Sequence, residues 1–321
     1  MNSFSFDLKR EAALIDVDGD EAISELSAII RTCGEITRNI NGTMLVICTE
    51  IMDAAKRVAH IVKNIYGKDV EIKNAETLSF SKQERLEILV PAEITKQVLL
   101  DTEVARFDED KYLTFNDGIS SYLVTEEEQA KAFLRGAFIG AFSCNINLAG
   151  ENNLKHSTGY HAEFVFSKEV FAQDFCFLLA DFDIISKMMA RGNTFVVYVK
   201  GLEMVSDLLA LVGANKGVLA LQNESAYRSI RNTVNRQNNC MTGNLTKTVD
   251  ASVKQIEAIN LINKLLGLET LPEPLQQAAF LRLGNPEESL EELVSLSPNP
   301  ISKSGLYHRL KKLEKMAEEL K

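Results

Sequence analysis

A chain of 321 residues, 45% hydrophobic and 25% charged, with a formal charge of −10, is too long for one small core and suits two or three globular units. Its start, MNSFSFDLKREAAL, has no apolar core of signal-peptide length. The longest apolar stretch, FCFLLADFDII, is broken by Asp181 and Asp183 well short of a membrane span, so a cytoplasmic protein without a membrane partner is expected.

In chain order, the first two thirds read as a degenerate internal repeat. In the first copy ELSAIIRTCGEI (Glu25 to Ile36) is a short helix and TMLVICTE (Thr43 to Glu50) a strand. IMDAAKRVAHIVKNIYG is an amphipathic helix ended by glycine. DVEIKN and RLEILV follow as alternating strands, then AEITKQVLLD as a helix. Residues 102–125 are polar and acidic and read as a linker with one extra strand around Tyr112 to Phe115. The second copy runs AKAFLRGAFIGAF (helix), GYHAEFVF (strand), KEVFAQDFCFLLADF (helix), two strands around Gly192-Asn193, and LEMVSDLLALVGA (helix). Both copies spell helix, strand or hairpin, helix, hairpin, helix, the signature of duplication.

After Leu221 the texture changes. RSIRNTVNRQNNCMTGNLTKT has little apolar periodicity and reads as a domain connection, leading into the helix VDASVKQIEAINLINKLLG. On that helix Val249, Val253, Ile256, Ile259, Ile262 and Leu266 are expected on one apolar stripe. The Arg- and Asn-rich RNTVNRQNN has three readings. It holds Arg231 and Arg236 against phosphates with Asn232, Asn235 and Asn238 as amide donors, or it caps and positions the junction, or it is plain linker.

The last fifty residues read as three helices. LPEPLQQAAFLRL opens with prolines where a first turn tolerates them, and SLEELVSL starts at a capping box of Ser289 and Glu292. SPNP stops that helix, and Ser302 caps a third whose apolar stripe is Leu306, Leu310, Leu313, Ala317 and Leu320. Two helices joined by a tight turn, the second basic outside, are what a helix-turn-helix needs to enter a major groove. Ser302, Lys303, Ser304, Tyr307 and His308 are the candidates for base or phosphate contact, and Arg309, Lys311 and Lys312 for backbone phosphates. A lysine-rich face on a terminal helix is also what plain solvation produces, so spacing alone does not decide for DNA.

Charge points the same way. Residues 1–221 hold 22 Lys/Arg against 33 Asp/Glu, whereas residues 222–321 hold 13 against 12. The cations of the second part cluster in two places. Residues 226–254 carry Arg228, Arg231, Arg236, Lys247 and Lys254 against Asp250, and residues 301–317 carry five cations against Glu314. Five cysteines without a C-x-x-C pair are expected as buried thiols, and four histidines without H-E-x-x-H or H-x-x-x-H spacing signal no metal site or other cofactor.

These segments, RNTVNRQNNCMTGNLTKT, LPEPLQQAAFLRLGNPEESLEELVSL and above all PISKSGLYHRLKKL, resemble the WhiA-type regulators of bacteria, which are linked to sporulation in some lineages and to cell division and chromosome segregation in others. The resemblance implies an α+β fold: two pseudo-symmetric LAGLIDADG-like repeats, helices on antiparallel sheets, followed by an all-α helix-turn-helix domain. The expected divisions are 1–221 for the LAGLIDADG-like domain (repeat one about 1–101, repeat two about 126–221), 222–270 for the Asn/Arg-rich junction and linker helix, and 271–321 for the helix-turn-helix.

In LAGLIDADG nucleases an acidic residue near the end of each motif helix holds divalent metal. Laying that motif on LRGAFIGAF puts its first Asp at Ile139 and its catalytic acid at Ala141; on LSAIIRTCG the same positions are Arg31 and Cys33. Mg²⁺ needs hard oxygen ligands that none of these supplies, so no catalytic or metal-binding residue is expected. Glu35 is the nearest candidate for a displaced ligand. The small face of Gly136, Ala137, Gly140 and Ala141 still allows close helix approach.

Three functions compete. The leading expectation is a non-enzymatic, sequence-specific regulator bound to double-stranded DNA and associated with the nucleoid. A divergent metal-dependent endonuclease and a protein-interaction scaffold are the alternatives. The acidic repeat region repels a duplex unless positive charge is locally concentrated, which leaves a protein partner as one role for it.

Overall fold

The computed structural model describes residues 3–39, 42–75, 85–144 and 159–320. The chain divides into two compact units, residues 1–227 and 228–321, and each is described by itself.

The N-terminal unit opens with α1 (Phe4–Ala12), α2 (Gly19–Cys33), β1 (Gly34–Asn39), β2 (Gly42–Thr49), α3 (Met52–Tyr66), β3 (Glu71–Asn74), β4 (Leu86–Val90) and α4 (Ala92–Asp101). A small hairpin of β5 (Ala105–Phe107) and β6 (Leu113–Phe115) links it to the second half. There the order is α5 (Glu127–Ala141), β7 (Phe142–Cys144), β8 (His161–Phe166), α6 (Glu169–Ala180), β9 (Ser186–Arg191), β10 (Thr194–Lys200) and α7 (Leu202–Leu211). Both four-stranded sheets are antiparallel with equivalent order, β1-β2-β4-β3 and β7-β8-β10-β9. The repeat read from sequence is therefore a repeat of topology.

Local chemistry sets the boundaries. Asp18 caps α2 by accepting from the Gly19 N–H, with Asp20 and Glu21 in the first turn, where the helix dipole favours acids. Gly67 ends α3 in the left-handed conformation (φ +67°), its N–H returning to the Lys63 carbonyl. A capping box of Glu126 and Gln129 starts α5. Alternation of buried and half-buried residues along LEILV is what a strand with one core-facing side requires.

Equivalent topology is filled by different chemistry. The first repeat buries aliphatic residues such as Leu26, Leu45, Ile47, Ile61 and Ile88. Phenylalanines dominate the second: Phe138 stacks on Phe142 at 4.0 Å between centroids, and Phe164 tilts against Phe175 at 4.8 Å. Sequence reading missed α1, which packs Leu8 and Ala12 into this second core. It also missed β1, β5 and β7, each only three to six residues long.

The segment expected as a domain connection is helical. A single helix, α8, runs Asn215–Leu265, and the division between the two units falls inside it. Its start is tied down by Glu11, whose carboxylate accepts from the backbone N–H of Lys216 (2.7 Å) and Gly217 (3.2 Å).

In the C-terminal unit α8 is followed by α9 (Glu273–Gly284), α10 (Leu290–Leu296) and α11 (Lys303–Glu319). Their core is not self-contained. Ala258, Ile259 and Ile262 of α8 pack with Leu275, Ala278, Leu293, Leu306, Leu310 and Leu313. The apolar stripe expected on this part of α8 is rotated from its predicted place. Ile259 and Ile262 are buried, together with Ser252 and Gln255, whereas Val249, Val253 and Leu266 are about half exposed. Polar Ser252 is accommodated inside because its hydroxyl donates to the Pro286 carbonyl.

The thiols also differ from expectation. Only Cys48 is fully buried, Cys33, Cys144 and Cys176 are half-buried, and Cys240 is exposed on α8. All five are free. Among the described residues no helix is long and apolar enough to cross a membrane.

Candidate nucleic-acid interface

The capping box of α10 forms as the sequence predicts: the Ser289 hydroxyl accepts from the Glu292 N–H, and the Glu292 carboxylate accepts from the Ser289 N–H at 2.8 Å. Ser302 caps α11 by accepting from the Gly305 N–H at 3.1 Å. With both ends fixed, six residues lie between the two helices, from Ser297 to the cap Ser302.

Leu306, Leu310, Leu313 and Ala317 bury the inner face of α11, with Leu320 half-buried against the same core. Outward stand Ser302, Lys303, Ser304, Tyr307, His308, Lys311 and Lys312, all exposed. Arg309 is half-buried at the edge of that face. Lys303 is paired with Glu291 of α10, and Lys311 with Glu314 at 2.7 Å on its own helix. The Glu314 carboxylate, which accepts a hydrogen bond from Lys311, raises the Lys311 pKa. Tyr307 and His308 set their rings edge to face, 5.8 Å apart.

Arg231, Asn235 and Arg236 lie in the interior of α8 and are exposed. Their backbone groups belong to the helix ladder, so the segment is neither a cap nor a flexible linker. Arg231 and Asn235 stand one turn apart on the same face, with Arg236 beside them. The α8 residues and those of α11 thus sit on two separate helices of one unit.

The motif helices α2 and α5 form the other candidate centre. A Cβ on Gly136 would overlap the Glu25 carbonyl oxygen, and one on Gly140 would overlap the Thr32 side chain, so both glycines are there for close approach. Glu25, fully buried on α2, accepts from Arg57 Nε at 2.7 Å and from Arg135 Nε of α5 at 2.8 Å. One carboxylate thus ties three helices together across the pseudo-symmetric junction.

At the aligned acid positions Ile139 is buried and Ala141 half-buried. Arg31 donates to the carbonyls of Asn116 (2.5 Å) and Glu103 (2.6 Å) and lies 5.9 Å from the Phe171 ring centre. Desolvation lowers its pKa to about 10. Burial pushes the Cys33 thiol up. Glu35 is exposed on β1 and faces Arg85 at 3.4 Å. Among the described residues no three His, Cys, Asp or Glu side chains gather as a metal site would require; His156 lies outside them. A cavity of about 360 Å³ lined by Arg31, Phe115, Asp117, Lys168 and Phe171 lies beside the end of α2, with Lys168 paired to Asp117.

Comparison with known proteins follows this division. Residues 20–105 match the family described as the WhiA N-terminal LAGLIDADG-like domain, 130–231 the WhiA LAGLIDADG-like domain, and 234–317 the WhiA C-terminal HTH domain. The chain belongs to the WhiA family. It is 39% identical to a "Probable cell division protein WhiA" of Clostridium tetani, covering 99% of this chain and 98% of that protein. A protein of the same name from Thermoanaerobacter pseudethanolicus is 37% identical over the same shares. The crystal structure of full-length DUF199/WhiA from Thermatoga maritima matches with a TM-score of 0.58 at 25% identity, covering 99% of both chains.

The WhiA helix-turn-helix match begins at residue 234, inside α8. This agrees with the packing of Ala258, Ile259 and Ile262 beneath α9 to α11. Sequence reading missed two groups of residues. The Glu25–Arg57–Arg135 cluster gave no signal, because its members lie 32 and 110 residues apart. Arg282 left a faint one, as the sole cation in the α9 sequence EPLQQAAFLRLG.

Proposed function

We propose that this protein is a non-enzymatic, sequence-specific DNA-binding regulator. In this reading α11 lies in the major groove and presents Ser304, Tyr307 and His308 to base edges. Ser302, Lys303, Arg309, Lys311, Lys312, Arg231, Asn235 and Arg236 contact phosphates. The observation that carries the reading is the outer face of α11: a helix capped at Ser302 and anchored by four buried apolar residues leaves its aromatic and basic side chains in solvent. Mixed aromatic, imidazole and hydroxyl groups beside lysines favour readout of bases over plain solvation, which needs charge alone.

The relatives' name supports a role in cell division, and the resemblance of PISKSGLYHRLKKL to WhiA-type regulators supports transcriptional control extending to chromosome segregation or sporulation. Such a protein is expected in the cytoplasm on the nucleoid. The N-terminal unit, with its acidic balance, is assigned to a protein partner rather than to the duplex.

Duplex binding measured by fluorescence anisotropy tests the reading: wild type binds with a steep salt dependence, and Tyr307→Ala/Lys311→Ala loses sequence preference. Equal preference in the variant would move the DNA site elsewhere. The endonuclease alternative makes a separate prediction, Mg²⁺- or Mn²⁺-dependent nicking of supercoiled plasmid that Glu35→Gln abolishes. Intact plasmid across divalent metals is the result expected here.

A further inference from the structure

The β5–β6 hairpin of the N-terminal unit carries an apolar face that its own chain leaves largely uncovered. Ala105 is paired with Phe115 and Phe107 with Leu113, and residues directly opposite in an antiparallel pair share a face. Alternation along each strand puts both pairs on the same side and turns Arg106 and Thr114 to the other. Ala105 is buried, whereas Phe107 is 50% exposed, Leu113 42% and Phe115 59%. A two-stranded hairpin is marginal in water unless something packs on its face, and exposed apolar patches mark interaction sites. Its turn is nonetheless fixed. The Asp108 N–H donates to the Tyr112 carbonyl at 2.9 Å, the Tyr112 N–H donates to the Asp108 carboxylate at 2.7 Å, and Lys111 is left-handed (φ +63°).

Phe115 joins this face to the cavity of about 360 Å³ beside the end of α2. The apolar wall of that cavity is Ile36, Leu45, Val104, Phe166 and Phe171, with Ile36 41% exposed. Its two cations are already engaged, Arg31 by the carbonyls of Asn116 and Glu103 and Lys168 by Asp117. What the cavity offers a partner is therefore apolar surface.

Charge selects the partner. Residues 101–117 hold six acids, Asp101, Glu103, Asp108, Glu109, Asp110 and Asp117, against Arg106 and Lys111. Asp108, Glu109 and Asp110 are consecutive and exposed at the turn. One ring of the apolar face already receives a cation from its own chain: the Lys96 ammonium lies 5.2 Å from the centre of Phe107. Such a surface repels a duplex and complements cationic side chains.

We infer that the hairpin face and the adjoining cavity are the docking surface for an extended, basic segment of a partner protein. An aromatic or aliphatic side chain of that segment packs on Phe107, Leu113 and Phe115 at the mouth of the cavity, and its Lys or Arg residues stand beside the acidic turn. The inference rests on the assignment of the N-terminal unit to a protein partner and gives that partner a surface and a chemistry. The apolar anchor supplies most of the affinity, while the acids speed association and reject acidic competitors.

The experiment selects phage-displayed random dodecapeptides on the immobilised full chain and measures the enriched peptides in solution by fluorescence anisotropy. Peptides that are net basic around a Phe, Tyr or Leu are expected. Leu113→Ser/Phe115→Ser, at two exposed positions, is expected to weaken them at least about tenfold. Glu109→Lys/Asp110→Lys, which leaves the apolar face untouched, is expected to weaken them about threefold to tenfold and to remove their salt dependence. Thermal melting followed by circular dichroism checks that both variants stay folded.

Enriched peptides that bind both variants as they bind wild type overturn this surface and leave the N-terminal unit free to take a protein partner elsewhere. Peptides that lose affinity for Leu113→Ser/Phe115→Ser but are net acidic overturn the basic partner. No enrichment over the bare support overturns the surface, and the two duplex outcomes then separate the readings. Unchanged duplex binding by Leu113→Ser/Phe115→Ser removes only this surface, whereas weakened duplex binding gives the face to DNA and removes the assignment of the N-terminal unit to a protein as well.

Discussion

The α2–α5 pair and the α10–α11 pair are both two-helix junctions, and they use their side chains in opposite ways. In the first, Gly136 and Gly140 bring the backbones together, and the charged groups, Glu25, Arg57 and Arg135, are consumed in holding the helices to each other. In the second, a small apolar seam of Leu293, Leu306 and Leu310 does the holding, and the cations and aromatics of α11 remain outside. The difference teaches where function can reside. A junction that has turned its polar groups inward is a scaffold, whereas one that keeps them outward has side chains left for a partner.

Substitutions within the first junction carry the largest expected cost. Glu25→Ala leaves two buried guanidiniums without a counter-charge, and urea unfolding followed by circular dichroism is expected to show a loss of about 3–5 kcal/mol. Gly136→Val pushes a side chain against the Glu25 backbone and is expected to lose about 1–3 kcal/mol or more in the same assay. Neither change is expected to alter the contacts of α11.

Alkaline pH also acts on the N-terminal unit. Burial holds the Cys144 thiol, which is bonded to Ser5, at about 11 against an ordinary 9.0. An acid whose folded pKa is raised contributes stability below its unfolded value, and that contribution is lost as pH rises from about 9 to 11. Unfolding free energy should fall across that window by on the order of 2 kcal/mol, and less in Cys144→Ser.

Smaller effects belong to the second junction. Ser289→Ala removes one half of the α10 capping box and should cost about 1 kcal/mol. Tyr307→Ala/Lys311→Ala should change stability by no more than about 0.5 kcal/mol while weakening DNA binding strongly. A large stability loss in this double variant would blur the contrast between the two junctions.

The fold was legible where it is written in local chemistry. The repeat order, the glycine stop at Gly67, the capping box at Ser289 and the buried stripe of α11 all follow from residues within a few positions of one another. The helical character of 222–248 was not, because Asn, Thr and Arg without an inward apolar face give no amphipathic signal, and that stretch is almost entirely exposed. The rotated face of α8 has the same origin: Ser252 and Gln255 are buried against the other helices, which periodicity of apolar residues cannot foresee.

At the candidate interface, the exposed lysines and aromatics of α11 could be read from spacing. The pairing of Lys303 with Glu291 and the partial burial of Arg309 required the fold. Arg309 is therefore a poorer probe of DNA contact than the exposed Tyr307, while Lys303 and Lys311 are alike in each having a carboxylate partner. The cavity beside the end of α2 could not be read at all, since it joins residues from Ile30 to Phe171 through tertiary packing.

The most direct test of the central claim is genome-wide DNA occupancy of wild type beside Tyr307→Ala/Lys311→Ala, with both expressed at equal level. Discrete wild-type peaks sharing a sequence, lost in the variant, are the predicted result. Peaks unchanged in position and height would contradict it and place DNA recognition away from α11.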